Sequence, residues 1–273
     1  MSKILKLKLD YGLGCFLIYK PCFDYLLQND ILNEIYYSIN IKTLEDLRET
    51  YPGQYKLDTI NLAKYLFNDT RIVYIDDETF ESISPESIYL VYEIPNHIPF
   101  KNDFFTETIP LVNEEYICFN VKLQGIELSL FEEYTLDLIH ILKNSRYKIV
   151  LIGERSLTHC KEYKIHEKLF DSLYDKIMNE NLDIIDHTHA NTSVGLHINN
   201  INISLNICKF SKYNIVINTT GGLSIAALFD KTIGLCSHPE NLYLRIYPLT
   251  NSIISFNIPS FLQSLNKNIT GET

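Results

Sequence analysis

Two short runs of uninterrupted apolar residues constrain this chain more than any other feature: Ile149-Val150-Leu151-Ile152 and Ile215-Val216-Ile217. A strand with one solvated face alternates apolar and polar side chains. A strand covered by helices on both faces does not, so these runs predict a buried parallel sheet. The first runs into Gly153-Glu154-Arg155 and the second into Asn218-Thr219-Thr220-Gly221-Gly222. Helical spacing follows each of them, as the crossover between parallel strands requires.

The same alternation extends through the rest of the chain. In the second half, strands are expected at 116–121, 148–152, 182–185, 215–217 and 232–235, and helices at 131–144, 162–179, 203–210 and 223–229. The first half opens with a strand at 4–9, a glycine turn at 10–14 and a helix at 16–29 with Pro21 near its first turn. Strands at 31–39, 71–75 and 87–92 and helices at 43–50 and 57–67 complete it. A stretch rich in Pro and Asn, 95–113, reads as a linker. The expectation is an α/β fold with doubly wound sheets, divided into 1–113 and 114–273.

Composition sets the outer bounds. With 273 residues, 46% hydrophobic and 21% charged, the chain buries a sizeable core. A net charge of −10 argues against general nucleic-acid binding, which needs clustered Lys and Arg. Six scattered cysteines without a C-x-x-C pair suit free thiols in a reducing, cytoplasmic compartment. Lys3, Lys6 and Lys8 interrupt the first apolar segment, so no secretory signal is expected there. No run of 18 apolar residues predicts a membrane span.

Three segments can carry chemistry. At 218–224, a buried strand meets two glycines and a helix start. Glycines let a ligand approach the backbone, and a helix start offers unpaired N–H groups with a partial positive charge. Thr219, Thr220 and Ser224 add hydroxyl donors, so the segment suits a pyrophosphate; a plain tight βα turn fits it equally well. At Gly153-Glu154-Arg155, Glu154 can accept from ribose hydroxyls or a base, and Arg155 can pair with phosphate; a solvated ion pair is the alternative. At Asp10-Tyr11-Gly12-Leu13-Gly14-Cys15, Leu17 stands where the dinucleotide fingerprint needs a third glycine. Asp10 there can act as a general base or merely cap the following helix. His187 and His189, after a predicted strand end, can touch a substrate, but no histidine spacing matches a metal site. No Walker A or G-x-S-x-G pattern is present.

Taken together, these pieces resemble GT-B glycosyltransferases, and among them the heptosyltransferase-like glycosyltransferase family 9. The resemblance rests on Leu13-Gly14-Cys15-Phe16-Leu17-Ile18-Tyr19-Lys20-Pro21 against the family's L-G-D-x-L-x-x-x-P. It rests further on Ile152-Gly153-Glu154, on Ile217-Asn218-Thr219-Thr220-Gly221 against a strand ending in N-D-T-G, and on Ala226-Ala227-Leu228 and Thr232-Ile233-Gly234-Leu235. It implies two Rossmann-like domains facing a cleft, the first half shortened, and sugar transfer from a nucleotide-diphosphate sugar to a hydroxyl acceptor in polysaccharide biosynthesis. Gly221, Gly222 and Ser224 would then face the diphosphate with Thr219 and Thr220 alongside, Arg155 and Lys122 would neutralise it, and Glu154 would hold the nucleoside. The acceptor would sit near Gly12, Gly14 and Cys15, with His187 beside the substrate. The departures fall on the chemistry. The family's first-turn acidic residue falls on Cys15, the acidic residue of N-D-T-G on Thr219 and the following His on Ser224. Asp10 is the substitute base, with Glu93 a second. A helix dipole and basic side chains stabilise a diphosphate without metal, so no metal or other cofactor is expected. Expected partners are the nucleotide sugar and a carbohydrate acceptor, with no nucleic acid; peripheral membrane contact and oligomeric state stay open. A nucleotide-sugar epimerase and a non-catalytic nucleotide-sugar-binding protein are the rival readings.

Overall fold

The computed structural model describes residues 4–8, 13–38, 52–83, 105–121, 128–154, 167–180, 182–189, 197–217, 228–236 and 250–272. The first sheet contains β1 (Ile4–Lys8), β2 (Glu34–Ser38) and β3 (Ile72–Ile75), parallel and in that order. Between and after these strands lie α1 (Leu13–Gln28), α2 (Pro52–Leu66) and the short α3 (Asp77–Ser82). Asp76 caps α3 by accepting from the Thr79 N–H, a boundary the sequence reading did not foresee.

The helix α1 starts three residues before the expected position, so Gly14 and Cys15 lie in its first turn and not in a loop. Pro21 consequently sits in the helix interior, where it removes a donor and costs about 3 kcal/mol in an exposed helix. Burial overrides this. Phe16, Leu17, Cys22, Phe23, Leu26 and Leu27 are all buried, and a fully buried side chain of the Leu or Phe kind contributes about 1.5–3 kcal/mol. Phe16, Phe23 and Tyr37 pack their rings around Phe67.

The second sheet is larger. It contains β4 (Tyr116–Asn120), β5 (Lys148–Glu154), β6 (Ile184–His189), β7 (Asn214–Ile217), β8 (Thr232–Leu235) and β9 (Ile253–Ser255). Their spatial order is β6-β5-β4-β7-β8-β9, and each neighbouring pair is parallel. Every residue of β4, β7 and β8 is buried, as the apolar runs require. Gly234 in β8 serves packing: a Cβ there would lie 2.9 Å from Ile254 Cδ1 and 3.2 Å from Val216 Cγ2.

Helices α4 (Leu128–Lys143), α5 (Glu167–Met178), α6 (Ile198–Phe210) and α7 (Ile258–Ile269) accompany this sheet. Leu138, Leu142, Leu173 and Ile177 join one face of the sheet to α4 and α5, and Phe261, Leu265 and Ile269 of α7 enter the same cluster. On the opposite face, Ile201, Leu205, Ile207 and Cys208 of α6 pack with Cys118, Val150 and Ile152. This second cluster continues without a break into Leu5, Phe23, Ile35 and Leu62 of the first sheet and its helices. The helix α6 therefore lies between the two sheets. The expected helix at 43–50 and strand at 87–92 fall outside the described residues, as does most of the 95–113 linker. Phe105 and Val112 from the described end of the linker are buried in the shared core.

Candidate functional site

The order of the second sheet creates a switch point. From β4 the chain winds outward through β5 to β6, crosses back along α6, and then winds the other way through β7, β8 and β9. The strands that follow β4 and β7 in sequence, β5 and β8, lie on opposite sides of the β4–β7 pair, so the border between β4 and β7 is a topological switch point, the usual ligand position in open α/β sheets. The strand β7 ends at Ile217. Asn218, Thr219, Thr220, Gly221, Gly222 and Ser224 come directly after it in sequence and lie outside the described residues, as do Asp10, Gly12, Glu93, Lys122 and Arg155.

Gly153, Glu154 and His187 are described. The first two belong to β5 and not to the loop after it, and His187 and His189 belong to β6 itself. Both strands run further than the apolar pattern predicts, because ladder pairing continues past the buried segment. In the register, Ile152 lies beside His187, Gly153 beside Thr188 and Glu154 beside His189. Residues paired in this way share a sheet face, so Glu154, His187 and His189 lie on the face of Val150 and Ile152, the side on which α6 packs. Gly153 has φ 102°, a backbone state that favours glycine. On the other face, Asp186 accepts from the Tyr174 hydroxyl at 2.6 Å and from the Thr188 N–H and hydroxyl at 2.8 and 2.6 Å. That network holds the end of β6 in place against α5.

The helix α6 is anchored at both ends. At its C-terminus the Lys231 ammonium donates to the Lys209 and Ser211 carbonyls, a favourable place for a cation. Burial pushes the Lys231 pKa down, while these two carbonyls still receive its protons. Cys118 and Cys208 touch beneath it, Sγ to Sγ at 3.7 Å, and burial pushes the Cys118 thiol well up. Thiols of this kind are inert packing groups. Cys22, Cys118, Cys208 and Cys236 are buried and outside any disulfide, in line with the reading of scattered thiols.

At its N-terminus α6 meets α2. The Tyr65 hydroxyl donates to Asn202 Oδ1 at 3.2 Å, and His197 Nε2 lies 3.7 Å from Asp58 Oδ2. A polar cavity of about 210 Å³ opens beside that pair, lined by Asp58, Asn61, His197, Ile198 and Asn199. No sequence pattern marks this group. Nothing local distinguishes His197 or Asp58 in the sequence, since the two meet only through the packing of α2 on α6. Among the described residues, no cluster of three or more His, Cys, Asp or Glu side chains is arranged to hold a metal. No described helix is long and apolar enough to cross a membrane.

No family model and no curated protein sequence matches the chain. In fold the chain is similar to two solved glycosyltransferases. One is the dodecameric iron-containing heptosyltransferase TibC, solved in complex with ADP-D-beta-D-heptose. It is 12% identical with a TM-score of 0.49, and the match covers 92% of this chain and 63% of that one. The other is a glycosyl transferase family 9 protein from Veillonella parvula, 8% identical with a TM-score of 0.49, the match covering 99% of this chain and 92% of that one. This chain thus spans less than two thirds of the heptosyltransferase's length.

Proposed function

We propose that this protein is a glycosyltransferase that moves a sugar from a nucleotide-diphosphate sugar to a hydroxyl group of a carbohydrate acceptor. The observation that carries the reading is the switch point between β4 and β7, with the Thr-Thr-Gly-Gly segment next in sequence after β7. In this reading, residues 114–273 take the donor, residues 1–113 take the acceptor, and the two units close over a GT-B cleft that excludes water. The amides near Gly221, Gly222 and Ser224, the hydroxyls of Thr219 and Thr220, and the side chains of Arg155 and Lys122 receive the diphosphate. Glu154 and His187 share a face beside it, suited to the nucleoside and the transferred sugar.

Chemically, the bond from the anomeric carbon to the diphosphate breaks and a bond to the acceptor oxygen forms. The hydroxyl proton passes to a carboxylate, Asp10 or Glu93, and the charge that develops on the leaving diphosphate meets the helix start and the two cations. The site needs no metal in this scheme, and the protein acts in the cytoplasm, with or without peripheral membrane contact. The departures at Cys15, Thr219 and Ser224 favour one second reading, a protein that binds the nucleotide sugar without transferring it.

Calorimetry with ADP-, UDP- and GDP-sugars, followed by assay of released nucleotide, tests the proposal. Gly222→Asp puts bulk and negative charge at the turn, and donor affinity is expected to fall by at least about tenfold. Unchanged affinity would rule out this phosphate site. Binding without release under any acceptor selects the non-catalytic reading. Activity that disappears with a chelator and returns with added metal refutes the metal-free scheme.

A further inference from the structure

The cavity between α2 and α6 has its own chemistry. Its wall carries a carboxylate (Asp58), two carboxamides (Asn61 and Asn199), an imidazole (His197) and one apolar side chain (Ile198). Asp58 is held in place, with a side chain only 5% exposed, while His197 opposite it is half exposed. The carboxylate argues against an anionic ligand, because none of the described lining residues is a Lys or Arg that would offset it. A metal ion would need three or four ligands of suitable geometry, and the described lining residues supply one carboxylate and one imidazole. The volume of about 210 Å³ lies below the ~300 Å³ at which drug-sized ligand sites begin. That volume suits one small ring. Hydroxyl groups both donate and accept, which matches carboxylate, carboxamide and imidazole partners together, and the C–H face of a sugar ring matches Ile198.

We propose that this cavity is a subsite for a single neutral sugar ring, the acceptor of the transfer inferred above. The acceptor role rests on that reading; the sugar specificity rests on the cavity alone. Asp58 accepts from a ring hydroxyl, a hydrogen bond strengthened by its charge. Asn61 comes from α2, Asn199 from α6 and His197 from the cap of α6, so the described wall forms only where the two helices meet.

The test titrates the full chain with free neutral monosaccharides (hexoses, a 6-deoxyhexose, a heptose and an N-acetylhexosamine), read by saturation-transfer NMR. At least one is expected to bind with a Kd of roughly 1–10 mM. Asp58→Asn removes the charge and is expected to weaken that sugar about tenfold. Because Asp58 is buried, Asn61→Ala and Asn199→Ala serve as second variants at exposed positions, each expected to weaken it about threefold with the melting temperature unchanged. No binding by any sugar in the panel overturns the subsite, and so does binding that survives intact in the Asn61→Ala, Asn199→Ala double variant. Nucleotide-sugar affinity is measured in parallel. If the cavity variants lower it as much as they lower monosaccharide affinity, the cavity belongs to the donor and the acceptor assignment falls. If no nucleotide sugar binds while monosaccharides still bind and respond to the variants, the transferase reading fails and the sugar subsite stands.

Discussion

Asp230 shows how one side chain can fix a loop. It stands in the left-handed region at φ 42°, a conformation that Asp tolerates better than most residues. Its carboxylate accepts from the Thr250 N–H and hydroxyl at 3.1 and 2.6 Å, from the Asn251 N–H at 3.1 Å and from the Ser252 hydroxyl at 3.2 Å. Burial pushes its pKa up, but these hydrogen bonds outweigh burial and hold the carboxyl below its ordinary value. A carboxylate with a depressed folded pKa contributes stability that is full above its unfolded pKa, about 3.9, and is lost as pH falls through the lowered value. Asp230→Asn is therefore expected to cost about 1–2 kcal/mol at pH 7, and the gap from the parent chain should shrink below about pH 4. Urea unfolding at both pH values checks this, and a gap that is equal at both refutes the assignment. No local pattern marks Asp230 for this role, because its partners arrive from a segment twenty residues further on, which only the pairing of β8 with β9 brings back.

At the scale of the element, α7 is instructive. No element is expected from the sequence beyond 232–235, yet β9 extends the second sheet and α7 packs on it. The helix begins with a clear local signal. Asn257 accepts from the Ser260 N–H at 2.9 Å, and Pro259 lies in the first turn. Phe261, Leu262, Leu265 and Ile269 then form its buried stripe. Asn257→Ala is expected to destabilise the protein by about 1 kcal/mol, measured as a shift of the urea midpoint at constant slope; no shift would show that the cap contributes nothing. The strand β9 carries a weaker signal. It is a three-residue edge whose first two residues are not fully buried, so little hydrophobic pattern is imposed on it.

For the whole molecule, the continuous core matters most. Side chains from the first sheet and from one face of the second belong to a single buried cluster, with α6 at its centre. An interface of this kind couples the stability of its two sides. One cooperative urea transition is expected, with fluorescence and circular dichroism coinciding. Two separated transitions would show that the sheets unfold independently and that α6 couples them weakly. Any closure of two units over a cleft then has to take place with the α2–α6 contact as its pivot or has to break it. The Tyr65–Asn202 hydrogen bond is the place to look for either.

By itself the sequence determined that the second half is a parallel sheet with helices between strands. Full burial leaves an uninterrupted apolar run, and β4, β5 and β7 each carry one. By residue type, the Thr-Thr-Gly-Gly segment after β7 is the one proposed for a phosphate. The sequence did not determine which strands are neighbours, because an apolar run records that a strand is buried and not what covers it. Only the tertiary structure decided that β4 and β7 lie side by side, which creates the switch point, and that Glu154, His187 and His189 share one face. The meeting of Asp58 with His197 depends on two helices packing across the core, and no spacing along a single chain encodes a contact of that kind.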